Sequence, residues 1–183
     1  MSQPQIFVAT QDDANAIKQM INEMYGFEYE TRTEFELKQE IHQQHQIYIL
    51  AKNGDDIIGF AGASTNSKQY QKVTTKTETV IEYIYIIPTY RNYFVAFELI
   101  KKLLTCLVQL KKTSTILQVQ TFNKYRFFHY ALSDKNIIKS TTCTTQTGVQ
   151  YDDQILIVNN IEKITKQTAK QFMLKVKKYK NDY

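Results

Sequence analysis

Apolar positions recur along this chain in two rhythms, one near every second residue and one near every third or fourth. Ile6-Phe7-Val8-Ala9 predicts a short strand. Thr10-x-x-Asp13 then has the form of a capping box with Asp in place of Glu, and Ile17, Met20, Ile21 and Met24 follow at helical spacing. Thr33, with Glu36 three residues on, predicts a second helix carrying Leu37 and Ile41. Two apolar runs, 47–51 and 57–63, flank Asn53-Gly54, a hairpin signal. Residues 65–76 are polar and read as a surface loop or hairpin end. A β-branched run over 77–87 predicts the central strand. After it, Leu99, Ile100, Leu103, Leu104, Leu107 and Val108 form the apolar stripe of the clearest helix in the chain. Residues 116–120 predict the next strand, Asn123 opens a helix through Leu132, residues 137–147 are extended, and 154–158 form a closing strand. From Ile161 onward, with Ile164, Phe172, Met173 and Val176 apolar, the pattern is that of a further amphipathic helix.

This order is strand, two helices, hairpin, strand, helix, strand, helix, two strands. It contains one strand-helix-strand crossover with antiparallel arms around it. The fold class expected is α+β, a three-layer arrangement of a mixed, mostly antiparallel sheet with helices on both faces. The length of 183 residues suits one domain, with residues 1–160 as its body and 161–183 as an extension of it. Only 2 Pro and 5 Gly argue against long linkers, and no apolar run reaches the length of a bilayer span. Met-Ser-Gln-Pro-Gln lacks the charged and apolar regions of a signal peptide, so a cytoplasmic protein without a membrane partner is expected. Cys106 and Cys143 read as reduced core thiols, although their spacing leaves a disulfide open.

The net charge of +5 is unevenly placed: residues 161–183 hold seven Lys against Glu162 and Asp182, which leaves 16 basic and 16 acidic residues in the first 160. A basic tail can bind nucleic acid, but no aromatic-basic interleaving accompanies it, and a solvated helix face is the simpler reading. His42 and His45 stand three apart without a third ligand nearby, so no metal is expected. No Cys-x-x-Cys, Walker or Gly-x-Ser-x-Gly pattern occurs.

The most informative stretch is residues 80–96. The β-branched run stops at Pro88, a Thr-Tyr-Arg turn follows, and an amphipathic helix begins near Asn92. A strand running straight into a helix leaves free helix N–H groups at the strand end, which is an anion site. The layout resembles the central motif of the GNAT superfamily of acyl-CoA N-acyltransferases. In that pattern Arg or Gln-x-x-Gly-x-Gly or Ala leads into a helix that cradles the pyrophosphate of coenzyme A. Here it reads Arg91-Asn92-Tyr93-Phe94-Val95-Ala96, with Phe94 where the first glycine would stand. A second resemblance, to Asn-x-x-Ala-x-x-Phe-Tyr, lies in residues 123–130, where Arg126 replaces Ala and His129 an apolar residue.

The resemblance covers roughly residues 5–158 and implies a GNAT-like fold, acetyl-CoA as cofactor and an amine acceptor. It implies cofactor contacts from Arg91, Asn92, Tyr93, Phe94, Val95, Ala96 and Asn123, and an oxyanion donor in the main-chain N–H near Ile86. It also implies that Glu82, six residues before Pro88, is the general base and Tyr130 the acid that protonates the coenzyme A thiolate. From the residues alone other readings stand beside these. Glu82 could reach solvent or pair with Lys76 or Arg126, and Tyr130 could be a core tyrosine. With regular alternation Glu82, Ile84 and Ile86 share one face of the strand. The function expected is transfer of acetyl from acetyl-CoA to a small amine or a protein amino group, with a homodimer left open. The alternative is a GNAT-fold protein that binds or regulates without catalysis, consistent with Phe94, Arg126 and the missing Gly-Phe after Tyr130.

Overall fold

In the computed structural model, which describes residues 4–26, 28, 30–65, 79–121 and 123–182, the chain opens with strand β1 (Gln5–Val8) and helix α1 (Ala14–Tyr25). The Thr10 N–H donates to Asp13 Oδ2 (2.8 Å), and a short 3-10 turn at Gln11–Asp13 leads into α1. Thr33 and Glu36 exchange the two bonds of a full capping box at the start of α2 (Glu34–His42). Strands β2 (Gln46–Asn53) and β3 (Asp56–Ser64) form the expected hairpin around Gly54, whose φ of +65° is the left-handed conformation that glycine adopts without penalty. Then come β4 (Val80–Ile86), α3 (Tyr93–Gln109), β5 (Ser114–Gln120), α4 (Arg126–Ser133), β6 (Ile137–Thr144) and β7 (Gln150–Asn159), with α5 (Ile161–Thr165) and α6 (Ala169–Asn181) closing the chain. The expected loop over 65–76, apart from Thr65, lies outside the described residues.

The sheet order is β1-β2-β3-β4-β5-β7-β6, and among the described residues β4–β5 is its one parallel pair. Helices α1 and α2 cover one face, where Met20 and Ile21 of α1 join Tyr48, Leu50, Phe60, Tyr83 and Tyr85 of the sheet. Helices α3 to α6 cover the other, over Ile49, Ala61, Ile81, Ile86, Leu117 and Leu156. Glycine is required at Gly62, where a Cβ would stand 2.8 Å from the Tyr48 ring and 2.9 Å from that of Tyr83. Both cysteines are free. Among the described residues no helix is long and apolar enough to cross a membrane, and no group of three His, Cys, Asp or Glu could hold a metal.

Two expected elements differ. The helix expected from Asn123 begins only at Arg126, because Asn123 Oδ1 accepts the Tyr125 N–H (2.9 Å) and holds 123–125 as a turn. The single tail helix is two, because Thr168 and Gln171 form a fresh capping box that starts α6. Phe172 on α6 is fully buried, stacked on Phe97 of α3 (4.6 Å) and edge-on to Phe128 of α4 (5.1 Å). The lysines of residues 161–182 other than Lys175 face outward, as the solvated reading expects.

Phe172→Ala is expected to lower unfolding stability by about 3–5 kcal/mol, the usual cost of emptying an aromatic core site. Urea denaturation would measure it, and a loss below about 1 kcal/mol would mean that α6 is not integral to the core.

Candidate active site

The site begins where two strands separate. Strands β4 and β5 pair only at Val80↔Ile116 and Ile81↔Leu117. Beyond Ile81, β4 has no strand partner on that side among the described residues. At the same point β4 carries a bulge: Gly62 pairs with Tyr83 and Ala63 with Ile81, which leaves Glu82 without a partner in β3. The bulge corrects the regular alternation expected from sequence. Ile84 and Ile86 pack on the α3 face, whereas Glu82 turns to the α1–α2 face and accepts from Gln46 Nε2 (3.2 Å). Neither Lys76, which is outside the described residues, nor Arg126, which lies 4.3 Å over the Phe127 ring, is its described partner.

Around Glu82 is a polar cluster that sequence reading missed. Arg32 bonds Glu30 through Nε and Nη2, Glu40 through Nη1, and the Tyr48 hydroxyl through Nη2 (3.2 Å). Glu30 is 5% exposed, and its carboxyl is held below the usual range: the Arg32 bonds and charge outweigh a large opposing effect of burial. The Glu82 carboxyl goes the other way. Burial pushes it above the ordinary 4.5, while the Gln46 bond and Arg32 oppose and Glu40 and Glu30 reinforce. Burial likewise raises the Tyr48 and Tyr83 hydroxyls, which stay protonated. No spacing rule could have found this cluster, since its members come from the α1–α2 connection, α2, β2 and β4.

On the other side of the opening stands the start of α3. Asn92 caps the helix: its Oδ1 accepts the Val95 N–H (2.8 Å) and its carbonyl the Ala96 N–H (3.3 Å). The Tyr93 and Phe94 amides have no partner among the described residues and carry the positive end of the helix dipole. The Phe94 ring is 41% exposed, so it is not part of the core. Arg91 reaches back to the strand: Nε donates to the Ile86 carbonyl (2.8 Å), and the guanidinium lies 5.5 Å from the Tyr85 ring and 6.0 Å from that of Tyr125. The Ile87 N–H donates to Ile58 on β3 (2.9 Å). Alternation therefore turns the Ile86 N–H and carbonyl toward the opening that β5 has left.

Asn123 and Tyr130 are less direct. Asn123 spends its side-chain oxygen on the Tyr125 N–H, and the two residues do not share a helix. Tyr130 is 4% exposed and donates to Gln154 Oε1 on β7 (2.8 Å), between the rings of Phe127 and Tyr179. It packs in the core on the α3 face, so Tyr130 and Glu82 belong to opposite faces of the sheet. His129 is held neutral, its pKa lowered to about 4 by burial, which lets it occupy a position where the family pattern has an apolar residue.

Taken together the opening offers a part-buried carboxylate on one face, open amides on the other, and an unpaired main-chain donor between. A family model described as the Acetyltransferase (GNAT) family matches residues 14–129, and the chain belongs to that family. No curated protein matches in sequence. Among solved structures, the chain is similar to an N-acetyltransferase from Staphylococcus aureus Mu50, with a TM-score of 0.63 at 15% identity over 86% of this chain and 99% of that one. It is also similar to yncA from Salmonella typhimurium, solved with its cofactor acetyl-CoA: TM-score 0.64, 13% identity, 86% of this chain and 94% of that one. The PaiA N-acetyltransferase from Thermoplasma acidophilum, in complex with coenzyme A, aligns with a TM-score of 0.55 at 14% identity over 87% and 99% of the two chains. At these identities the likeness is one of fold.

The raised Glu82 pKa has a stability consequence. A folded state that binds this proton more tightly than the unfolded state gains stability below the ordinary carboxylate value and loses it as pH rises through the folded pKa. Glu82→Gln is therefore expected to raise the melting temperature at neutral pH and to leave it unchanged in acid, well below 4.5. A variant less stable than wild type at neutral pH would show that the carboxylate contributes to holding the cluster together.

Proposed function

We propose that this protein is an N-acetyltransferase that moves acetyl from acetyl-CoA to the amino group of a small amine or protein acceptor. The observation that carries the reading is the separation of β4 from β5 immediately beside Glu82, with the α3 amides and Arg91 at its other end. Acetyl-CoA would bind with its phosphates on the Tyr93 and Phe94 amides and its acyl end in the opening, supplying an activated thioester. The residues present fit it, because the Tyr93 and Phe94 amides have no hydrogen-bond partner among the described residues and Phe94 is itself exposed. The acceptor would approach from the α1–α2 face. There Glu82 takes the proton that the ammonium must lose, a role that burial favours by raising its pKa above the ordinary carboxylate value. The Ile86 N–H stabilises charge on the acyl oxygen as the C–N bond forms. Tyr130 returns a proton to the sulfur as the C–S bond breaks, once its hydroxyl turns from Gln154.

One observation favours a second reading, a GNAT-fold protein that binds the cofactor without turnover: the Tyr130 hydroxyl is already committed to Gln154. Calorimetric titration with acetyl-CoA, followed by a thiol-release assay over a panel of amines, separates the two. Absent binding would sink both readings, and binding without turnover on any amine would leave the second.

If Glu82 is the base, the rate should rise with pH through its pKa and Glu82→Gln should abolish that limb, measured as kcat/KM against pH. A retained limb assigns it to another group, such as the acceptor amine. Tyr130→Phe should lower turnover by about 10²–10⁴-fold while leaving acetyl-CoA affinity nearly intact. Unchanged turnover would remove Tyr130 from the chemistry.

A further inference from the structure

Phe94 is the second residue of α3 and is 41% exposed. The inward positions of that turn are already filled. Tyr93 stacks on Phe128 (6.2 Å, 7° between planes) and meets Tyr125 edge-on (6.2 Å), while Val95 and Phe97 are buried. Phe94 makes no aromatic contact among the described residues, and it is not among the buried core residues of that turn. Its own backbone N–H is one of the two open amides at the helix start, so the ring stands beside the place where phosphates would bind.

The two helix starts at this end are basic in sequence. Residues 88–97 and 123–133, the starts of α3 and α4, hold Arg91, Lys124 and Arg126 and no Asp or Glu. The two helix starts meet through the Tyr93–Tyr125 contact, with Arg91 and Lys124 (5.2 Å) both over the Tyr125 ring. An exposed aromatic ring beside donor amides and cations suits a ligand that joins a flat base to phosphates.

Resting on the acetyl-CoA reading above, we propose that the Phe94 ring is a stacking platform for the adenine of coenzyme A. Where the family pattern has glycine to let the phosphates approach, this chain keeps the amide and adds a ring that grips the nucleotide end. Phe94 is then a specificity residue. It makes affinity depend on the adenosine half of the cofactor, which is remote from the reacting carbon.

The test is calorimetric titration of wild type, Phe94→Ala and Phe94→Trp with coenzyme A and with phosphopantetheine, which lacks the adenosine end. Phe94→Ala should weaken coenzyme A binding about ten-fold, the loss expected for one base–aromatic stack, and leave phosphopantetheine binding unchanged. Phe94→Trp should retain coenzyme A affinity. Because the chain has no other tryptophan, its fluorescence should be quenched by coenzyme A and not by phosphopantetheine. Equal losses for both ligands in Phe94→Ala, or no loss for either, would overturn the platform while leaving the acetyl-CoA reading intact. Wild type that binds neither ligand would overturn that reading and the platform with it.

Discussion

The parallel pairing of β4 with β5 lasts two residues, and the candidate site follows from its ending there. A strand edge inside a protein exposes N–H and carbonyl groups that need partners. Here the Ile86 carbonyl is satisfied by Arg91 Nε, a side chain standing in for the missing strand. The Ile86 N–H faces the same gap. An extended ligand with amide groups can pair with such an edge as another strand would. The bulge at Glu82 occurs at the same place and has a separate effect, moving a carboxylate from the α3 face to the α1–α2 face.

The two sides of the opening differ in electrostatic character. On the α1–α2 face Arg32 is bound by two carboxylates and a tyrosine hydroxyl, which leaves it little capacity for a further anion. Glu82 receives a single bond from Gln46 and is destabilised by burial and by the neighbouring Glu40 and Glu30. That environment suits a group that must accept a proton. The starts of α3 and α4, residues 88–97 and 123–133, carry cations and donor amides without acids. Arg91 lies against both Tyr85 and Tyr125, and the Tyr85 hydroxyl donates to Glu23 on α1 (3.1 Å). A continuous set of contacts thus runs from α1 to the start of α4.

The last helix bears on this geometry from a distance. Phe172 sits between Phe97 of α3 and Phe128 of α4, and Phe128 stacks on Tyr93 in the first turn of α3. The starts of α3 and α4 are therefore fixed relative to each other partly through α6. Its exposed lysines face solvent while its apolar side joins the core, and Lys175 pairs with Asp134 at the end of α4 (2.5 Å).

Local chemistry was enough to read the order of elements as far as β7, the Thr33–Glu36 cap, the hairpin at Gly54, the apolar stripe of α3 and the turn from Pro88 to Asn92. Each of these is set by residues within a few positions of one another. The motif at 91–96 was legible for the same reason, since a helix start is a local structure. The face to which Glu82 points was not. Alternation along one strand predicts it only if the partner strand keeps register, and the bulge arises from pairing with β3, eighteen or more residues away in sequence. The Arg32 cluster was hidden because its members meet only when the α1–α2 connection folds over β2 and β4. Asn123 and Tyr130 have the spacing of one helix, but Asn123 formed a turn, and the Tyr130 hydroxyl found Gln154 on a strand 24 residues on. Sequence determined most of the elements that form and where the α3 helix start would lie. Tertiary structure decided which side chains face each other across the sheet, because that depends on register and on contacts between residues that the chain itself keeps far apart.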